Sequence, residues 1–164
     1  MVKGGADEIQ IIRYERRLAA DFARLNYQWI EEYFVIEPHD REMLDDPELH
    51  IIDPGGEILF AMLNQEVVGT AALISKGDDI FELAKMVVSP SMRGKGIGDR
   101  LIAACIEHAR NAGRSRIFLL SNTLLTPAIK LYRKHGFIET LTDERSPYES
   151  VNIRMELAIT EARL

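Results

Sequence analysis

From Leu18 onward, apolar side chains recur at Phe22, Leu25, Trp29 and Tyr33, a spacing that keeps one face of a helix apolar. Ahead of it, residues 9–14 form a short apolar-rich run that reads as a first strand. Glu37-Pro38-His39-Asp40 interrupts the helical pattern, since Pro is tolerated only at a helix start. The stretch to Asp46-Pro47 then reads as a second, short helix with Met43 and Leu44 facing inward. After the turn Asp53-Pro54-Gly55-Gly56 the pattern changes. Residues 58–63, 67–75 and 80–88 are rich in β-branched and apolar side chains, and Asn64-Gln65-Glu66 and Lys76-Gly77-Asp78-Asp79 separate them, which predicts an antiparallel meander. In its third strand, simple alternation places Glu82 on the face of Ala84, Met86 and Val88.

Beyond Ser89-Pro90 lies the glycine-rich string Arg93-Gly94-Lys95-Gly96-Ile97-Gly98. Leu101, Ile102, Cys105, Ile106 and Ala109 follow at helical spacing, up to a stop at Gly113. Residues 117–121 are continuously apolar, as in a strand buried on both faces, and the helix before them makes this strand parallel to the meander's last one. Thr126-Pro127 supplies an N-cap and first position for another helix, which His135-Gly136 ends. Residues 137–141 and 151–157 close the sheet, with Val151, Ile153, Met155 and Leu157 on one face. The expected fold is mixed α/β (α+β), a single domain with a central, mostly antiparallel sheet of about seven strands and about four flanking helices.

Composition narrows the class. The 164 residues suit one domain, with a core over about residues 9–157. At 46% hydrophobic and 28% charged residues, disorder and low-complexity stalks are excluded. No apolar run approaches the ~18 residues of a membrane helix. The start, through Asp7 and Glu8, lacks the apolar segment of a secretory signal, and the single Cys105 has no internal disulfide partner, so a cytoplasmic location is expected.

The net charge of −6 argues against nonspecific binding to nucleic acid or an anionic membrane. That charge is uneven. Residues 31–48 hold eight acids (Glu31, Glu32, Glu37, Asp40, Glu42, Asp45, Asp46, Glu48) and one base, Arg41. Residues 93–134 hold nine bases and two acids, Asp99 and Glu107. These are either two solvated faces or the marks of a cationic ligand near the first stretch and an anionic one near the second.

A glycine loop between strand and helix offers backbone N–H groups and the positive helix end to an anion. The spacing Gly94-x-Gly96-x-Gly98, and the absence of an acid at the tip of the next strand, disfavour a dinucleotide fingerprint; no Gly-x-x-x-x-Gly-Lys string marks a P-loop. What remains is Arg-x-x-Gly-x-Gly after an apolar strand, followed by helix, strand, Asn and a Tyr-bearing helix. In Lys85-Met86-Val87-Val88-Ser89-Pro90-Ser91-Met92-Arg93-Gly94-Lys95-Gly96-Ile97-Gly98, in Asn122, and in Ala128-Ile129-Lys130-Leu131-Tyr132-Arg133-Lys134-His135-Gly136-Phe137, the chain resembles the GNAT superfamily of acyl-CoA-dependent N-acyltransferases.

The resemblance implies an N-acetyltransferase that uses acetyl-CoA as cosubstrate. It implies that the segment Met86, Val87 and Val88 meets the pantetheine arm where two parallel strands splay, and that Gly94, Lys95, Gly96, Ile97, Gly98 and Asp99 hold the pyrophosphate, with Arg93 adding a charged contact. Asn122 orients the pantetheine or fixes the turn after its strand.

Acyl transfer from a thioester to an amine needs a deprotonated amine and a proton for the leaving thiolate, and direct attack needs no protein nucleophile. Cys105, on the apolar face of its helix, is therefore expected in the core. By similarity to the family Tyr132 is the leaving-group acid, and a phenol of pKa about 10 is protonated at neutral pH. Glu82 occupies a region where family members place the general base; the alternative is a structural ion pair with Lys85 or another base. The four histidines lack metal-ligand spacing and are expected at the surface, so no metal is implied.

The acceptor implied is a small-molecule or peptide amine. The acids of residues 31–48 and the Ser146-Pro147-Tyr148 loop would wall its site and favour a cationic one. A homodimer is compatible with this reading. A noncatalytic acyl-CoA-binding sensor is the competing class, and an acyltransferase acting on a protein or carrier domain is a third.

Overall fold

The structure is a computed structural model and describes residues 8–140 and 151–160. Its elements run β1 (Ile9–Arg13), α1 (Ala19–Tyr33), α2 (Pro38–Asp45), β2 (Glu57–Leu63), β3 (Glu66–Ser75), β4 (Ile80–Val88), α3 (Ile97–Asn111), β5 (Arg116–Ser121), α4 (Thr126–Lys134), β6 (Ile138–Thr140) and β7 (Ile153–Ala158). The strands form one seven-stranded sheet in the order β1-β2-β3-β4-β5-β7-β6. Among the described residues only the β4–β5 pair is parallel, as the α3 crossover requires.

Each face of the sheet carries its own core, because successive side chains of a strand point to opposite sides. Leu59, Leu73, Phe81 and Leu83 pack with Leu101, Ile102 and Cys105 of α3. Ile58, Phe60, Ala72 and Ile74 pack with Phe22 and Leu25 of α1 and Leu44 of α2. Glu37 and Asp40 form a reciprocal capping box that starts α2, with Pro38 at its first position.

Element boundaries agree with the pattern within a residue or two, with three differences. Leu125 rather than Thr126 is the cap of α4, so Thr126 and Pro127 are both helical. A π-helical turn, Glu48–Ile52, follows α2 and drops Ile51 into the second core. Phe137 precedes β6 as a buried core residue, while Leu141 lies outside the described residues.

The difference that matters most is in β4. Ala84 pairs with Ala72 and Val87 with Thr70, so three steps on β4 match two on β3. This bulge is centred on Lys85, whose φ of +52° lies in the left-handed region. It shifts the strand's phase. Glu82 and Ala84 face α1 and α2, opposite Ile74 and Ala72. Val87 keeps that face, whereas Met86 and Val88 pack on the α3 side. Glu82 therefore does not share a face with Met86 and Val88, because the extra residue inverts the alternation expected of an unbroken strand.

Candidate active site

The parallel register of β4 and β5 ends at Leu83 and Leu119. Beyond it, β5 stays on β7 as far as Ser121, and β4 stays on β3 as far as Val88. The two strands splay, and a cleft of about 670 Å³ passes between them, from α1 on one face of the sheet to the start of α3 on the other. Ser89 N–H donates to Val68 O, and Val87 O lies towards Gly69 of β3. By alternation the peptide groups of Met86 and Val88 turn to the opposite edge, into the splay. The carbonyl of Val87 is committed to β3.

At the cleft's α3 end, the three glycines answer to two different constraints. Gly94 and Gly96 have φ of +78° and +81°, and a Cβ on either would meet nothing within 4 Å, so backbone conformation selects glycine there. At Gly98 a Cβ would come within 2.8 Å of Leu131 Cδ2, so the end of that half-buried side chain would have to turn aside. Gly96 is the N-cap of α3 and provides no side-chain cap for the first-turn N–H groups. Uncapped donors beside an open, glycine-rich loop fit a pyrophosphate. Lys95 and Arg100 are exposed there. Arg93 donates from Nε to Val88 O at 3.3 Å, and its Nη1 lies 3.5 Å from the Tyr33 hydroxyl. The Asp99 carboxylate is turned to α4, 2.9 Å from both Lys134 Nζ and His135 Nε2, which hold its pKa below the usual carboxylate value. Only its backbone is available to the loop.

Tyr132 of α4 and Asn122 line the same cleft. Tyr132 makes an edge contact with Phe137, centroids 6.1 Å apart, and burial pushes its phenol up to about 12. Asn122 Oδ1 accepts from Leu124 N–H at 2.9 Å, and its carbonyl accepts from Leu125 N–H at 3.0 Å, so it fixes the turn into α4.

Across the cleft, Glu82 is 8% exposed. Burial raises its pKa, and Lys76, 3.6 Å away, counters this, helped by Lys85 and His39. Lys85 itself donates from Nζ to the Asp40 carboxylate of α2. The bulge thus turns Lys85 and Glu82 to the same side.

The acidic stretch does not form a wall. Of its eight carboxylates, only Glu37 and Asp40 line the cleft. Asp45 accepts from the Tyr27 hydroxyl, Asp46 from Leu49 N–H, and Glu48 from Arg16 and Tyr14. The Ser146-Pro147-Tyr148 loop lies outside the described residues. Nor are the histidines exposed. All four are half-buried, with His135 on Asp99 and His108 stacked 5.9 Å from Phe81. Cys105 is fully buried, and burial alone raises its thiol to about 12. Trp29 and Tyr33 are cleft residues that sequence reasoning did not assign, and the pairing of Asp40 with Lys85 is one it did not foresee, Asp40 counting only among the acids of the wall and Lys85 as a partner of Glu82. For the first two the signal was present as the end of the helical stripe; for the pair there was none, because the bulge that turns Lys85 towards α2 has no sequence mark.

A mixed sheet splayed between its two parallel strands, with an open glycine loop starting a helix at one end of the gap, defines the class of protein. The sequence model of the acetyltransferase (GNAT) family matches residues 23–137, and the chain belongs to that family. It is 35% identical over 108 residues to an uncharacterised N-acetyltransferase, YjgM, of Escherichia coli, a match covering 64% of this chain and 62% of the relative; it thus spans less than two thirds of that protein. Its fold is similar to that of a GNAT-family acetyltransferase from Staphylococcus aureus, with a TM-score of 0.84 and 23% identity over 93% of this chain and all of the other. It is also similar to the PaiA N-acetyltransferase of Thermoplasma acidophilum in complex with coenzyme A, with a TM-score of 0.72 and 20% identity over 92% and 99% of the two chains.

Proposed function

We propose that the protein transfers an acetyl group from acetyl-CoA to a primary amine by direct attack in a ternary complex. The observation that carries this reading is the placement of Tyr132 and Glu82 on one cleft that runs between the splayed strands to the uncapped start of α3. Family membership and the solved relative holding coenzyme A support it.

Acetyl-CoA would supply the acyl group as a thioester, which an amine can attack without a protein nucleophile. The amides of Gly94, Lys95, Gly96, Ile97, Gly98 and Asp99 bind its pyrophosphate, with Arg93 beside them, and the outward peptide groups of Met86 and Val88 orient its pantetheine arm. Asn122 acts through the turn it holds. Glu82 takes a proton from the attacking amine nitrogen, and its raised pKa suits it to that task near neutral pH. Tyr132 donates its phenolic proton to the departing thiolate; at a pKa of about 12 the phenol is fully protonated when needed. Cys105, sealed under α3, has no part in the reaction.

Steady-state release of free thiol from acetyl-CoA, dependent on an added amine and matched by an acetylated product of the right mass, tests the proposal. Acetyl-CoA binding without thiol release for any amine in a broad library would replace it with a sensor.

A further inference from the structure

We infer that the acceptor end of the cleft takes a monoamine with an apolar body, an alkyl or aryl group carrying no second charge. The inference rests on the proposed acetyl transfer and names its acceptor class. On the α1 side of the sheet the cleft wall is aromatic. Trp29 lies 5.4 Å from Tyr33 and 5.5 Å from Phe34, ring centre to ring centre. The rim continues in the same character. Tyr33 and Val35, 46% and 81% exposed, stand at the end of α1 and the link to α2, while Leu124, 83% exposed, belongs to the loop between β5 and α4. All three line the cleft, and they are three of the five large exposed hydrophobic residues among the described residues. Exposed apolar side chains scattered singly need no explanation, but a set gathered around one opening marks a binding surface.

The charges agree. Of the eight acids in residues 31–48, Asp45, Asp46 and Glu48 have partners outside the cleft, and the two that line it are engaged, Asp40 with Lys85 and Glu37 with the start of α2. Asp99 is bound to Lys134 and His135 at the far end. Glu82, beside the bulge, is placed to receive one ammonium. A second ammonium would find Asp40 held by Lys85 and Glu37 held at the start of α2, and would meet the cationic Arg93. A distal ammonium lying against Trp29 and Val35 would lose hydration without gaining a partner, and a distal carboxylate would gain only the exposed, water-screened Arg93.

The test uses three amines of equal chain length that differ only at the distal end: hexylamine, hexamethylenediamine and ε-aminocaproate. Expected is a kcat/KM for hexylamine at least about tenfold above either charged analogue, the scale set by burying one aliphatic group. Val35→Asp changes an exposed side chain, so folding is not at stake. It should raise KM for hexylamine about tenfold, narrow the preference over the diamine and leave KM for acetyl-CoA unchanged. Leu49→Asp, at an exposed apolar position outside the cleft, should change none of these. Equal constants for the three amines, a preference for either charged analogue, or acetyl-CoA binding without turnover of hexylamine would each overturn the inference while leaving the acetyl-CoA site intact. Failure to bind acetyl-CoA would overturn the proposed function, and the inference with it.

Discussion

Asp40 of α2 and Lys85 of β4 form an ion pair whose side chains are only 5% and 9% exposed. It joins the short helix over the cleft to the single residue at which β4 breaks phase. Taking two charges out of water is costly, and their attraction offsets this only while both are present. Lys85→Met should therefore destabilise the fold by about 3–5 kcal/mol, since it strands the Asp40 carboxylate, whereas Asp40→Asn combined with Lys85→Met, which removes the charge but keeps an oxygen to accept from Glu37 N–H, should recover much of the loss. Denaturant unfolding of the two variants checks this, and a double variant no more stable than the single one would show that the pair is not the cause.

The glycines of the loop before α3 separate two effects that a single motif conceals. Gly96→Ala forces a Cβ-bearing residue to a φ of +81°, at a cost of about 1–2 kcal/mol, with no clash inside the chain. Coenzyme A affinity should fall sharply while the fold survives, and calorimetric titration reads this directly. Gly98→Ala brings a methyl against the end of the half-buried Leu131 side chain, which can turn aside. Its effect should fall on stability and stay within about 1 kcal/mol in thermal unfolding.

The sequence carries this fold because nearly every strand and helix is marked by its own period and turn. Leu18 to Tyr33 announces α1, and the glycine string announces the start of α3. That Tyr132 and the glycine loop belong to one site was legible through the motifs that carry the family resemblance, and both line the cleft. What could not be read was the phase of β4. Nothing in Glu82-Leu83-Ala84-Lys85-Met86 signals an extra residue, because Lys85 is no glycine and the bulge is imposed by pairing with β3. For a related reason the acids of residues 31–48 looked like a wall. A count of charges is blind to their long-range partners, and Arg16 and Tyr27 claim Glu48 and Asp45 across gaps of 32 and 18 residues.

Tyr132→Phe isolates one hydroxyl. The ring contact with Phe137 and the fit under the sheet are retained, so acetyl-CoA affinity should change little. Without a proton for the thiolate, kcat should fall by roughly 10²- to 10⁴-fold. With the phenol held at about 12, loss of its proton should not limit the rate at any pH from neutral to about 10. A kcat equal to the parent's would remove Tyr132 from the reaction.

Glu82 links activity to stability with opposite signs. Burial raises its pKa above the unfolded value of 4.5, so between the two values the folded state binds more protons than the unfolded one. Stability contributed by this group is therefore present below the unfolded pKa and is lost as pH rises through the folded one. Where it is ionised, Glu82 is then a destabilising charge, only partly relieved by Lys76. Glu82→Gln should raise Tm at pH 7, and the gain should vanish near pH 4, where the parent is protonated as well. Over the same range the parent's kcat/KM should climb through a pKa above the ordinary carboxylate value, as the base needed by the amine loses its proton. The Gln variant should lack that limb and run far slower at neutral pH. Paired thermal melts and pH–rate profiles of the two proteins decide the matter. A variant that gained stability but kept the limb would leave Glu82 as a buried charge without a role in proton transfer.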